Sequence, residues 1–94
     1  MSKAKFEWDP KKNQLNTEKH GVDFYDAQQA FMDSKRIIAE DLDHSRGEKR
    51  YSCFGKISGR VMTVVRFTWR NNTIRIIGAG YWRKGKKIYD QAQT

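Results

Sequence analysis

The chain has 94 residues, of which 37% are hydrophobic and 13% aromatic, and it carries a formal net charge of +8. This length fits a single domain, residues 1–94, with one modest core, and the aromatic content is too high for a disordered tail. No apolar run is long enough to span a membrane, the N-terminus lacks the apolar core of a signal peptide, and Cys53 alone allows no internal disulfide. These features predict a cytoplasmic protein.

The positive charge lies in one half of the chain. Residues 46–94 carry 12 Lys and Arg against two acids, a net +10 (12 − 2), whereas residues 1–45 carry seven bases and nine acids, a net −2 (7 − 9). Because cationic side chains that meet phosphates release condensed counterions, such asymmetry is typical of polyanion binding. It predicts nucleic acid or an acidic protein as partner, although a cationic surface can also serve solubility alone.

The N-terminal part predicts a strand and a helix. Residues 5–8 alternate polar and apolar side chains, which is the period of a short half-buried strand. Asp9-Pro10 predicts a helix start, because Asp caps free N–H groups and Pro fits the first helical position. His20-Gly21 ends this helix with a left-handed turn. The helix is polar and has only Leu15 to bury.

A second helix, a strand and a loop are expected next. Asp23 can cap a helix with one apolar face, so this helix should be better buried than the first. That face consists of Phe24, Ala27 and Phe31. Residues 35–40 predict a strand, and residues 41–49 a charged loop.

The second half predicts an antiparallel meander of three strands. They lie near residues 50–57, 60–69 and 73–79. Ser58-Gly59 and Asn71-Asn72 separate them and tolerate the positive φ of tight hairpins. The predicted fold class is α+β: two N-terminal helices packed on an antiparallel sheet, which comprises the three-stranded meander and one or two short strands, and a short C-terminal helix over residues 86–92.

Side-chain alternation divides the longest strand into two faces. The core face is expected to carry Thr63, Val65, Phe67 and Trp69. The other face is expected to carry Met62, Val64, Arg66, Thr68 and Arg70. Most burial is expected from Phe6, Trp8, Phe24, Phe31, Phe54, Phe67 and Trp69. Cys53 is expected to be a buried thiol.

The polar face of this sheet is the first candidate site. The hairpin brings Arg70 and Arg75 together near the Thr68 hydroxyl, and Arg50 and Arg66 join them. Like charges repel unless an anion lies among them, and guanidinium groups match pairs of phosphate oxygens. The pattern predicts a phosphate site; the alternative is a solvated face with acidic neighbours.

Two groups of the charged loop are candidates for proton transfer. His44 has a side chain of a type that titrates near neutral pH, and Glu48 lies four residues further on. A solvated loop histidine is the alternative for His44, and His20 is expected to close the first helix or pack on the sheet. Two separated histidines without a cysteine partner, and acids without the spacing of a calcium or zinc loop, predict no metal and no cofactor.

The segment 81–89 interleaves aromatic and basic residues. Its bases are Arg83, Lys84, Lys86 and Lys87. Aromatic rings stack on nucleobases while cations follow the backbone, so this segment suits single-stranded RNA. Aromatic residues near a chain end are also frequent core residues, which is the expectation for Trp82, whereas Tyr89 fits either role.

Several motifs occur in an order that resembles the BrnT family of type II toxin–antitoxin systems. They are Phe6-Glu-Trp-Asp-Pro10, Lys19-His-Gly-Val22, Phe24, Ala27, Phe31-x-Asp33, Asp43-His-Ser45, Glu48-x-Arg50, Thr68-x-Arg70 and Ile74-Arg-Ile-Ile77. The first two are specific in combination. The resemblance covers residues 5–90 and implies a compact RelE-like fold.

The resemblance also implies a function and a partner. It implies a metal-independent endoribonuclease that cleaves RNA, inhibits translation and is neutralised by a BrnA-type ribbon-helix-helix antitoxin. DNA would be bound only indirectly, through the antitoxin complex that represses the operon. The alternatives are a non-catalytic RNA- or DNA-binding module and an interaction domain that binds an acidic antitoxin segment.

The family's functional positions match Glu48, Arg50, Thr68, Arg70, Arg75 and Tyr89. Metal-independent cleavage needs a base for the 2′-OH, cations for the phosphate and an acid for the leaving 5′-oxygen. Arg70 and Arg75, assisted by Arg50, are expected to hold the transition-state charge. His44 or Glu48 is the candidate base or acid, with Tyr89 as an alternative.

The chain departs from the family pattern at the end of the last strand. The family commonly has Ile-Ile-Ser-Ala-Arg there, whereas this chain continues from Ile77 as Gly-Ala-Gly-Tyr-Trp to Arg83. A serine hydroxyl and an arginine are therefore absent. Arg83 is the candidate replacement, by reaching back across the glycines; without it the protein would bind RNA with weak or no cleavage.

Overall fold

The structure, a computed structural model, describes residues 5–58 and 61–93. The strands are β1 (Lys5–Glu7), β2 (Ile37–Glu40), β3 (Tyr51–Ile57), β4 (Val61–Arg70) and β5 (Thr73–Gly80). The helices are α1 (Pro10–His20), α2 (Phe24–Ala27) and α3 (Arg83–Ala92), with 3-10 helices at Gln28–Met32 and Leu42–His44. Gly59, predicted to lie in the first hairpin, and Arg60, predicted to begin the next strand, lie outside the described residues. None of the described helices is long and apolar enough to cross a membrane.

The five strands form one mixed sheet in the order β1-β5-β4-β3-β2. β2, β3, β4 and β5 pair antiparallel, but β1 pairs parallel with β5, and Phe6 lies opposite Ile74. The expectation of an antiparallel sheet is therefore wrong for β1. Side-chain alternation shows that a segment is extended, but it carries no information on the direction of a partner far along the chain.

α1 begins and ends as expected but is placed differently. The Asp9 side chain caps its first turn, and Gly21 ends it with φ +74°. None of its residues is buried, and Leu15 is 58% exposed. The Asn16 amide instead donates to the Ala79 carbonyl (3.0 Å) and accepts from the Ala79 N–H (3.2 Å). α1 thus docks through polar contacts beside the last residues of β5, beyond the segment that β1 pairs, rather than by an apolar face.

The main core lies between one face of the sheet and the second helical segment. α2 is shorter than expected, because the chain tightens into a 3-10 helix after Ala27. The buried residues are Val22, Phe24, Ala27, Ala30, Cys53, Ile57, Val65, Phe67, Ile74, Ile76 and Ala79. The Cys53 thiol is buried as expected, and burial raises its pKa to about 12. Trp69 was expected here but is 51% exposed, since it lies near the end of β4; its ring meets the core residue Phe67 edge-on.

The opposite face of the sheet has a second apolar cluster beneath α3. Met62 and Val64, which were expected on the polar face, are buried there with Phe54 and Tyr89. Gly85 lies so close to Val64 that a Cβ at position 85 would collide with the Val64 side chain. α3 covers this half of the face, and Arg66 and Arg70 remain exposed on the other half.

Candidate active site and nucleic-acid interface

A basic groove runs between α1 and the uncovered half of the sheet. Its ionisable and histidine side chains, among the described residues, are Lys12, Lys19, His20, Asp41, His44, Arg50 and Arg66. Its volume is about 290 Å³, and Gly78 and Ile77 of β5 contribute to its lining. Four cations against one carboxylate give the groove a positive potential, which attracts a polyanion.

Hydrogen bonds of Ser45 close the loop that carries His44 and leads to Arg50. The Ser45 hydroxyl donates to the Asp41 carbonyl (2.6 Å) and accepts from the Arg50 N–H (3.0 Å). The Asp41 N–H donates to the Arg50 carbonyl (2.7 Å). These bonds join the two ends of the loop, so His44 and Arg50 are held on the same groove.

His44 is oriented by Asp41. The distance from His44 Nδ1 to Asp41 Oδ2 is 2.9 Å, and the side chains are 55% and 19% exposed. Because a carboxylate can only accept, Nδ1 carries the hydrogen, and Nε2 of the neutral ring keeps its lone pair. A base whose orientation is fixed by a third group is the arrangement that proton abstraction requires.

Arg66 is held by an aromatic contact. Its guanidinium carbon lies 5.0 Å from the centroid of the Trp82 ring, and the His20 ring meets Trp82 edge-on at 5.2 Å. Stacking on the indole leaves the guanidinium N–H groups free to donate in its own plane. Trp82 is partly buried against the second apolar cluster, so it is both a packing residue and a wall of the groove.

Arg70 and Arg75 are each paired with an acid. Arg70 Nε lies 3.1 Å from Glu48 Oε2 and Nη2 lies 3.4 Å from Oε1, while Arg75 Nη1 lies 2.8 Å from Glu7 Oε2. The sequence predicted that these arginines lie on one face with the Thr68 hydroxyl. Thr68, however, is 1% exposed and its hydroxyl donates to the Lys49 carbonyl (2.7 Å), so it fixes the loop before Arg50.

Glu48 lies among three arginines. The hydrogen bond from Arg70, aided by the charges of Arg70, Arg50 and Arg75, holds the pKa of Glu48 below its usual value, although desolvation opposes this. Glu48 is therefore a carboxylate at neutral pH. Since Arg50 lines the basic groove and also acts on Glu48, it connects the groove with the Arg70–Glu48 pair.

Tyr89 lies apart from these residues. It is 3% exposed in the second apolar cluster, and its hydroxyl donates to Asp33 Oδ2 (2.6 Å). Burial, the hydrogen bond to Asp33 and the charges of Asp33 and Asp90 raise the pKa of Tyr89 to about 12. Of the six expected catalytic residues, the structure brings His44 and Arg50 into the groove and Glu48, Arg70 and Arg75 to its side, but not Tyr89.

Comparison with known proteins decides the family. A family model described as the ribonuclease toxin BrnT of type II toxin–antitoxin systems matches residues 8–85. The chain belongs to the BrnT family. As a member, it is a ribonuclease toxin whose partners are RNA and an antitoxin. A comparison with curated proteins gave no match.

A solved BrnT structure has the same fold. The 1.1 Å crystal structure of the Brucella abortus ribonuclease toxin BrnT matches with a TM-score of 0.67 and 23% sequence identity. The match covers 85% of this chain and 97% of that chain. The expected α+β architecture of the BrnT family is thus confirmed, apart from the parallel β1 and the placement of α1.

The departure from the BrnT pattern lies at the basic groove. Gly78, the position at which the resemblance implied a serine, lines the groove, and a Cβ there would meet only Asn16 Oδ1, at 3.8 Å. Gly80, the position at which the resemblance implied an arginine, lies against Trp82, and a Cβ there would come within 2.6 Å of the indole. Trp82 therefore occupies the space beside position 80 and presents Arg66 to the groove.

The four bases of α3 are exposed but do not act together. Lys84 lines a second groove that also contains His44 and Arg66. Arg83 and Lys86 instead line a depression beside Met62. Since Arg83 is not among the residues of the basic groove, the expectation that it replaces the family's arginine is not supported. Lys87 is exposed on the same helix.

Sequence reasoning missed Lys12, Lys19 and Asp41. The two lysines are seven residues apart on α1 and therefore share a face, a signal that the helical period provides. Asp41 precedes His44 by three residues, and the 3-10 helix at Leu42–His44 brings the two side chains together, whereas an extended loop would not. Among the described residues, no group of three or more His, Cys, Asp or Glu side chains is arranged to hold a metal ion.

Proposed function

We propose that this protein is a metal-independent endoribonuclease that inhibits translation and is neutralised by a BrnA-type ribbon-helix-helix antitoxin. One observation supports the proposal: the Asp41–His44 pair lines the same positively charged groove as Arg50 and Arg66. A proton acceptor and a phosphate site lie together there, as phosphodiester cleavage requires.

In the proposed reaction His44 Nε2 takes the proton of a ribose 2′-OH. The 2′-oxygen then bonds to phosphorus while the bond from phosphorus to the 5′-oxygen breaks, which leaves a 2′,3′-cyclic phosphate and a 5′-hydroxyl. Asp41 stabilises the imidazolium that forms, and the protonated ring or a water molecule returns a proton to the 5′-oxygen. Arg50 and Arg66 stabilise the negative charge of the pentavalent phosphate.

Arg70 and Arg75 have a supporting role in this proposal. Each shares its charge with a carboxylate, so each offers less net charge to a phosphate than an unpaired arginine does. We assign them to phosphates that flank the scissile one. Glu48 positions Arg70, and its lowered pKa makes it a poor proton donor at neutral pH.

The functional test is expression of this chain alone in a bacterial host, with growth, protein synthesis and RNA ends measured. Growth arrest is expected, with new internal RNA ends that carry 5′-hydroxyls and with relief by a co-expressed ribbon-helix-helix antitoxin. Expression of His44→Gln at the same level is the control. Normal growth and intact RNA in cells that contain soluble wild-type protein would contradict the proposal.

A non-catalytic RNA-binding module is the second candidate function. Gly78 and Gly80 favour it, because they remove the hydroxyl and the arginine of the family pattern from the groove region. Purified protein that binds RNA tightly but produces no new ends, in buffer with or without ribosomes, would establish this second function.

A further inference from the structure

We propose that the enzyme reads a guanine base beside the scissile phosphate, in a second groove that adjoins the basic groove. This inference rests on the proposed ribonuclease function. The second groove, here called the base groove, lies between residues 39–44 and α3 and has a volume of about 670 Å³. It shares Asp41, His44, Arg66 and Trp82 with the basic groove.

The wall of the base groove suits a flat, largely apolar ring. The partly exposed Trp82 and Ile88 line it, and the buried Phe54 and Val64 lie beneath them. Unstacked RNA bases bind on such aromatic and aliphatic surfaces and on guanidinium planes such as that of Arg66. A phosphate gains little from these side chains, so the groove fits a base better than the RNA backbone.

The polar groups of the base groove select among the four bases. Glu40 and Asp43 are exposed there, and within residues 5–58 and 61–93 neither side chain has a hydrogen-bond or ion-pair partner. Lys84 lies in the same groove. Guanine presents two parallel N–H donors beside one carbonyl acceptor. A carboxylate can accept from both donors while Lys84 donates to the carbonyl. Adenine, cytosine and uracil do not present two such adjacent donors.

The shared residues set the distance between base and cleavage point. His44 and Arg66 line both grooves, so a base in the base groove belongs to a nucleotide adjacent to the phosphate held by Arg50 and Arg66. The carboxylates also repel phosphates from the base groove, which directs the backbone towards the basic groove. The basic groove thus has an excess of cations and the base groove an excess of carboxylates, and His44, the proposed proton acceptor, lines both.

The test is the affinity of the full chain for four non-cleavable 2′-O-methyl hexanucleotides, identical except for a single G, A, C or U. The G oligomer is expected to bind about tenfold more tightly than the others, as a bidentate base contact provides. The double variant Glu40→Gln/Asp43→Asn should lose this preference, and its affinity for the U oligomer should not fall, because two charges that repel phosphates are removed. Glu18→Gln/Asp26→Asn, at exposed positions outside both grooves, removes the same charge and is the matched control.

Equal affinity for the four oligomers, or a preference that survives in the double variant, would overturn the inference. Cleavage of the corresponding 2′-hydroxyl oligomers separates this result from the function itself. Cleavage without a base preference would contradict only the proposal that the base groove binds guanine. A preference for G without any cleavage would overturn only the ribonuclease proposal.

Discussion

At the scale of single residues, the arginines differ in how much charge they offer to RNA. Within the described residues Arg50 and Arg66 form no ion pair, whereas Arg70 and Arg75 each contact a carboxylate. Arg50→Ala is therefore expected to slow single-turnover RNA cleavage by about 100-fold, the effect of losing one transition-state donor. Arg70→Ala should have a smaller effect. A larger loss for Arg70→Ala would show that the chemistry takes place beside Glu48.

Tyr89 has a structural role in this account. Tyr89→Phe removes the hydrogen bond to Asp33 but keeps the buried ring, so it should lower the free energy of unfolding by about 1 kcal/mol. The cleavage rate should not change. Chemical denaturation and cleavage measure the two effects, and Tyr25→Phe at a 70% exposed position is the control. A large loss of cleavage by folded Tyr89→Phe would return Tyr89 to the active site.

The same contact has a defined pH dependence. Burial alone would raise the pKa of Asp33, but hydrogen bonds from Tyr89 and from the Lys56 and Lys35 N–H groups hold it below its usual value. Its stabilisation is thus present above pH 4 and lost as pH falls through the lowered pKa. The pKa of Tyr89 is raised to about 12, so its stabilisation is complete below about pH 10 and lost towards pH 12. In Tyr89→Phe the loss of unfolding free energy that Tyr89 causes between about pH 10 and pH 12 should be absent, and chemical denaturation across this pH range measures it.

At the scale of elements, α1 is expected to act as an RNA-binding wall. Lys12 and Lys19 line the basic groove, so Lys12→Ala/Lys19→Ala should weaken RNA binding. The salt slope of the affinity should fall by about 1.4, since each lost phosphate contact on a single strand contributes about 0.7. Lys11→Ala/Lys35→Ala removes the same charge from residues outside the groove and is the control. Equal slopes for both double variants would place the RNA elsewhere.

The end of β5 is expected to tolerate a side chain at one glycine and not at the other. Gly78→Ala adds a Cβ with only Asn16 Oδ1 nearby, at 3.8 Å, so the unfolding free energy should change by less than about 0.5 kcal/mol. Gly80→Ala places a Cβ 2.6 Å from the Trp82 ring and should cost about 1–3 kcal/mol. Thermal or chemical denaturation of the two variants measures the difference. Equal stability would mean that Trp82 moves without cost.

At the scale of the whole molecule, the sequence predicted what local residues determine. Features that depend on neighbours in sequence were predicted and are present in the structure. They are the helix caps at Asp9 and Asp23 and the positive φ of Asn71 and Asn72. The parallel direction of β1 arises from contacts between distant segments. The docking of α1 through Asn16 and Ala79, 63 residues apart, has the same origin, so periodicity could not reveal it.

The candidate site was predictable to a similar degree. His44, Arg50 and Arg66 were identified from residue type and strand alternation. The partners that define their roles were not, because the contacts of Arg70 with Glu48, Arg75 with Glu7 and Tyr89 with Asp33 connect elements 22 to 68 residues apart. The charge pattern thus indicated the proposed polyanion site, while folding decides which of its cations form ion pairs.

The cleavage rate of His44→Gln tests the proposed active site most directly. Single-turnover cleavage and affinity for non-cleavable RNA are measured for this variant and for the wild type under the same conditions. The rate is expected to fall by at least about 100-fold, the usual contribution of a positioned base. The affinity should stay within about twofold, because neutral histidine and glutamine carry the same charge. A rate close to that of the wild type would show that His44 is not the proton acceptor and would contradict the proposed mechanism.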